Sequence, residues 1–117
     1  MHELLKKYQN IIRKYRIILW EAEPSSFRFK AEILFTDHST LFIREYRFAA
    51  TRKYVYQWQD RQNNLKVRWD NAPHWKSLAT FPHHKHIGSK MNVVGSTELF
   101  LEDVMRVIYQ EISGKQK

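Results

Sequence analysis

Four of the six histidines in this chain fall within one stretch, Trp69 to Gly88, which reads WDNAPHWKSLATFPHHKHIG. They are His74, His83, His84 and His86. Asp70, Lys76, Lys85, Pro73 and Pro82 stand among them. Imidazole titrates nearest to neutral pH of all the side chains, so it can be acid, base, metal ligand or phosphate partner. A histidine cluster beside two prolines is a poor way to build a core and a plausible way to build a site.

Four uses are open to it. First, His84-Lys85-His86 places two imidazoles two residues apart, on one side of an extended segment. With His74 and Asp70 they offer three or four ligands to a divalent metal such as zinc, manganese or nickel. Second, RNA carries its own nucleophile, the 2′-hydroxyl. Its cleavage needs a base, an acid and a cation for the phosphate, and no cofactor. His74, His83, His84 and His86 are candidates for the acid–base work, with Asp70 orienting a histidine. Lys85 and Arg68 would hold the phosphate, with Lys66, Lys76 and Trp75 as further substrate contacts. Third, the same basic and aromatic residues could bind nucleic acid without chemistry, Trp75 and Phe81 stacking bases. Fourth, the histidines could only bond loop carbonyls, the role assigned to His2 and His38.

The composition narrows the partner. Lys and Arg number 20 against 12 Asp and Glu, a formal charge of +8. That surplus favours a polyanion such as RNA or DNA, a phosphorylated metabolite or an acidic protein. With no cysteine, disulfides, thiolate metal sites and cysteine nucleophiles are excluded. Apolar residues at 43% supply a core, yet no apolar run approaches the roughly 20 residues of a membrane span. The N-terminus lacks a signal-peptide core. The expectation is one cytoplasmic domain over 1–117 that needs no membrane, its oligomeric state open. No phosphate-cradling glycine loop, nucleotide fingerprint or serine elbow occurs.

The elements that must position the cluster are read from periodicity. Leu4, Leu5, Tyr8, Ile11, Ile12 and Tyr15 recur at helical spacing and predict a helix over 2–15. Strands follow over 16–23, 27–36, 40–48, 52–60 and 65–70. In the first hairpin Phe35 is set against Leu41, Ile33 against Ile43 and Glu32 against Arg44. Further on, Trp58 meets Val67 and Tyr56 meets Trp69. Tyr54, Tyr56, Trp58 and Trp69 are core rather than a stacking platform. Lys66, Arg68, Asp70, Gln57 and Gln59 share the polar face. Residues 71–95 carry no period and predict a long ordered loop. A helix over 98–112 closes the chain, with Thr97 as N-cap, and the tail Lys115-Gln116-Lys117 is solvated. The fold class is α+β: an antiparallel meander of four or five strands flanked by an N-terminal and a C-terminal helix.

The motif Trp69-Asp70-Asn71-Ala72-Pro73-His74, followed by Phe81-Pro82-His83-His84-Lys85-His86 and Gly88, resembles the TumE family of small toxins of toxin–antitoxin modules. Leu101-Glu102-Asp103-Val104 resembles the start of that family's closing helix. One departure is Trp75, where the resemblance implies a second histidine. The resemblance implies a toxin paired with an antitoxin that carries a DNA-binding helix-turn-helix domain. Many small toxins of such modules cleave RNA, so action on RNA is expected by analogy. Joined to the site chemistry, the expectation is a small metal-independent ribonuclease of a type II module, with a non-catalytic nucleic-acid- or protein-binding module or a His/Asp metal-dependent hydrolase as the alternative.

Overall fold

The computed structural model describes residues 1–115. Of the predicted tail, Gln116 and Lys117 lie outside the described residues. Helix α1 spans His2–Lys7 and a 3-10 turn spans Gln9–Ile11. Seven strands follow: β1 (Ile12–Glu23), β2 (Ser26–Phe35), β3 (Thr40–Phe48), β4 (Thr51–Gln59), β5 (Leu65–Asp70), β6 (His84–Ile87) and β7 (Val93–Gly95). Helix α2, Leu101–Lys115, closes the chain. All neighbours pair antiparallel in sequence order, as one continuous meander. No helix among the described residues is long and apolar enough to cross a membrane.

The α+β class holds, but the sheet has seven strands rather than four or five. The extra two, β6 and β7, lie inside the stretch expected to be loop. The N-terminal helix ends at Lys7 rather than at 15, because Tyr8 leaves helical geometry at φ −108°, ψ 21°. The next residues are rich in Ile and Tyr, whose branched and aromatic side chains fit a pleated strand. Tyr8 and Ile11, counted on the helical stripe, are buried all the same.

Alternation sets the core face. Phe29, Ala31, Ile33 and Phe35 of β2 are buried, as are Tyr54, Tyr56 and Trp58 of β4 and Trp69 of β5. They meet Leu101, Val104, Met105, Ile108 and Ile112 of α2 in one cluster. Burial of each large side chain in that stripe contributes about 1.5–3 kcal/mol. The Tyr8 ring packs on Tyr109 of α2 at 5.6 Å, so both helices cover the same side of the sheet. The other side is left open.

The first hairpin is shifted two residues from the expected register: Ile33 pairs with Leu41 and Ala31 with Ile43. Its turn is the cause. His38 takes a positive φ of 70° and the Asp37 carboxylate accepts the Ser39 N–H at 3.0 Å. The strands therefore close at Phe35 and Ser39. A slip of two keeps every side chain on its face, so the core pattern survives. Glu32 pairs with Arg16 of β1 at 3.0 Å instead of Arg44. The second hairpin has the expected register, Trp58 on Val67 and Tyr56 on Trp69.

Helix α2 begins at Leu101, three residues after the expected 98. Thr97 does not cap it. Asp103 does, accepting the N–H groups of Leu99 (3.2 Å) and Phe100 (3.1 Å). This is the carboxylate half of a capping box, reaching back from the first turn.

Candidate active site

The site forms where β5 and β6 pair on the open face. Arg68 lies opposite His86 and Asp70 opposite His84. Side chains alternate along a strand, so these four share one side while Trp69 and Lys85 point to the other. The chain reaches β6 through a loop whose Phe81–Pro82 peptide is cis.

Asp70 is the hub. Its Oδ1 lies 2.8 Å from His84 Nε2 and accepts the Ala72 N–H at 3.0 Å. Its Oδ2 accepts Arg68 Nε at 3.3 Å and faces His86 Nε2 at 3.6 Å. Asp70, His84 and His86 are all buried. Both histidines are held from behind: the Pro82 carbonyl lies 3.0 Å from His84 Nδ1, and the Lys90 carbonyl 3.0 Å from His86 Nδ1. A carbonyl only accepts, so each Nδ1 carries its hydrogen and each Nε2 is turned toward Asp70. His84 Nε2 and Asp70 attract only with a proton or a cation between them. Backbone carbonyls behind the ring are also how metal-ligating histidines are oriented. Asp70, His84 and His86 offer ligand atoms within 4.8 Å of one another, a nitrogen–oxygen set that fits a divalent transition metal.

A groove of about 800 Å³ opens over this centre, lined by Arg68, Asp70, His74, His86, Lys53 and Lys90. Trp75 lines it too, and its ring stands edge-on to His84 (6.2 Å) and His86 (6.3 Å). The position where the resemblance implies a histidine is therefore an indole shielding two imidazoles. Arg68 also donates to Gln57 at 2.7 Å, which leaves further guanidinium N–H groups for a ligand. Asn71 frees the chain to cross the groove. Its side chain accepts the Tyr54 N–H and donates to the Arg52 carbonyl, replacing the strand that has just ended.

Of the residues singled out in the sequence, Asp70, His84, His86 and Arg68 come together, with His74 and Trp75 on the groove. Four do not join them. Lys85 lies across the sheet, bound to Glu98 at 2.8 Å. Burial pushes the Glu98 carboxyl up, but hydrogen bonds from Lys85, Trp69 and Thr97 outweigh it and hold it below its ordinary value. Lys66 was expected on the polar face. It sits in a β-bulge, where Trp58 pairs with Val67 but Gln59 with Leu65. A bulge re-aims a side chain, and this one sends Lys66 to Glu111 of α2 (2.8 Å) and over the Trp58 ring (4.5 Å). Lys76 is exposed on the loop. His83 stacks on Tyr54 and its Nδ1 lies 2.9 Å from the Tyr54 hydroxyl. Lys53 and Lys90 were missed in the sequence. Lys53 stands on β4 outside the histidine stretch, and only the sheet brings it to the groove.

Burial lowers the His83 pKa from 6.5, and the charges of Arg52 and His84 add to this. Burial also pushes the Tyr54 hydroxyl up to about 12, so it stays protonated beside His83. The fold thus prefers neutral His83. Above pH 6.5 the imidazole is neutral folded or unfolded. Below it the unfolded chain takes the proton first, so stability is lost as pH falls. Replacing His83 by glutamine is expected to flatten that acid limb. Thermal melting of both proteins across a pH series checks it.

Fold and site together define a basic α+β protein with one histidine–aspartate centre at the end of an open sheet face. A family model described as Toxin TumE matches residues 1–116, and the chain belongs to that family. It is accordingly a toxin of a toxin–antitoxin module, with an antitoxin as partner. No curated protein and no solved structure matches the chain significantly.

Proposed function

We propose that this toxin acts on RNA as a small metal-independent ribonuclease of a type II module. Its antitoxin would be a protein with a DNA-binding helix-turn-helix domain. The observation that carries the catalytic reading is His86, whose Nδ1 is held by the Lys90 carbonyl so that its Nε2 is presented beside Arg68 on the groove floor. His86 takes the proton from a ribose 2′-hydroxyl as that oxygen attacks phosphorus. Arg68 steadies the charge on the phosphate, and Lys53 and Lys90 hold the flanking backbone. The P–O5′ bond breaks, and His74 protonates the leaving oxygen. The products are a 2′,3′-cyclic phosphate and a 5′-hydroxyl. Asp70 and His84 are positioning residues, the carboxylate fixing Arg68 and the pair bracing His86. Trp75 excludes water and offers a ring to a base.

Convergence of His84 Nε2 and His86 Nε2 on Asp70 favours a second reading, a metal-dependent hydrolase. There Asp70, His84 and His86 would hold the ion, which would supply an activated water. Incubating the purified protein with RNA, with and without EDTA, separates these readings. Cleavage to cyclic-phosphate ends that persists in EDTA is expected. Cleavage lost in EDTA, with a stoichiometric ion in tag-free protein, supports the metal. Intact RNA in gel-shifted complexes under both conditions leaves a binding module without chemistry.

A further inference from the structure

The first strand of the meander carries a second piece of design. β1 lies at the end of the strand order, so one of its edges is unpaired among the described residues. It is twelve residues long and contains no proline. Edges of that length are normally blunted, because free N–H and C=O groups template pairing with another chain.

Its pairing with β2 shows which way each side chain points. Ile17 pairs with Ala31 but Leu19 with Lys30, so Ile18 is an extra residue and the alternation skips a step. Tyr15, Ile17, Trp20 and Ala22 therefore share the helix-covered face, opposite the core positions of β2. Lys14, Arg16, Leu19, Glu21 and Glu23 share the open face. Without the extra residue, Arg16 and Glu21 would lie on opposite faces. Trp20 packs edge-on to Phe27 and Phe29, yet stays 56% exposed. The strand is thus cationic at its start, acidic at its end and apolar on one face.

We propose that β1 pairs antiparallel with β1 of a second copy of this chain. The two-fold axis runs perpendicular to the sheet and passes between Ile18 and Leu19. Such an axis keeps each face on its own side. On the open face Lys14 then meets the partner's Glu23, and Arg16 meets the partner's Glu21. On the other face Ile17 meets the partner's Trp20, and Tyr15 the partner's Ala22. The axis repeats every pair. Exposed ion pairs add little affinity. They set the register, while the backbone ladder and the apolar strip supply the attraction. This assignment rests on β1 alone and is independent of the chemistry proposed for the histidine centre.

Charge exchange tests it. The full chain carries His86→Ala so that growth arrest does not prevent expression, and its mass is measured by light scattering over a concentration series. The parent is expected at twice the chain mass. Glu21→Lys with Glu23→Lys makes β1 wholly cationic. Lys14→Glu with Arg16→Glu makes its open face wholly acidic. Each variant alone is expected at the single-chain mass with an unchanged circular dichroism spectrum. An equimolar mixture of the two is expected to return to the doubled mass. A parent of single-chain mass at every concentration overturns the proposal and leaves this edge to the antitoxin. A doubled mass that survives in both variants overturns it as well.

Discussion

Substituting His86 by alanine is expected to lower RNA cleavage by about 10²–10⁴-fold, the usual contribution of a positioned acid or base. Growth arrest on expression should be relieved. The fold should persist, since His86 lies on a four-residue strand near the end of the sheet, away from the α2 core. His84→Ala is expected to inactivate as well, by a different route. It removes the group bonded to Asp70 at 2.8 Å, so the carboxylate turns further onto Arg68 and His86 loses its brace. His86→Ala should leave the pH dependence of the residual rate without the limb due to the base, and His84→Ala should keep that limb. Rate profiles of the two variants against pH, with circular dichroism as control, distinguish base from brace. A double variant that stays fully toxic and fully active would remove the centre from the mechanism.

The largest effect on stability is expected at Trp69. Its side chain is fully buried between β5 and α2, and its Nε1 donates to Glu98 at 3.2 Å. Trp69→Ala removes the largest kind of side chain from a packed interior, at a cost of about 3–5 kcal/mol. Small domains are stable by only about 5–15 kcal/mol, so one change consumes much of the margin. The indole also belongs to the network that holds Glu98 on Lys85. Losing it loosens β6 from the helix side as well. Urea unfolding should show a lower midpoint with an unchanged slope. Trp69→Phe, which keeps an aromatic ring but no donor, should recover most of the loss.

How far the sequence foretold this follows from the range over which each signal acts. Alternation in β2, β4 and β5 was plain, because one face is buried by helices and the other is open. The pairing of Tyr56 with Trp69 followed from the Arg61–Asn64 turn. The first hairpin slipped because its three-residue turn sits at residues 36–38, with a left-handed His38, one position before the Asp37–Ser39 turn that the sequence suggests. The helical spacing of residues 4 to 15 was real but accidental: Tyr8 and Ile11 are buried as a helix predicts, through a turn that ends the helix. β6 and β7 were hidden by their length, four and three residues, and by charge. Yet the two-residue spacing of His84 and His86 already placed both imidazoles on one side, as they are. That same rule puts Lys85 on the other side. The departure of Lys66 could not be read, since a bulge leaves no mark in composition.

The order of the sheet has a consequence for the making of the molecule. Each strand pairs with the one just before it, so the meander can close progressively as the chain leaves the ribosome. Strands β1 to β5 contain Arg68 and Asp70 but none of the site's imidazoles. Only when β6 docks does Asp70 meet His84 and His86. A nascent chain that has released only β1 to β5 therefore lacks the histidine–aspartate centre. Until then the free edge of β5 is the surface on which the outcome turns: filled by β6 it completes the centre, and filled by anything else it leaves Asp70 without His84 and His86.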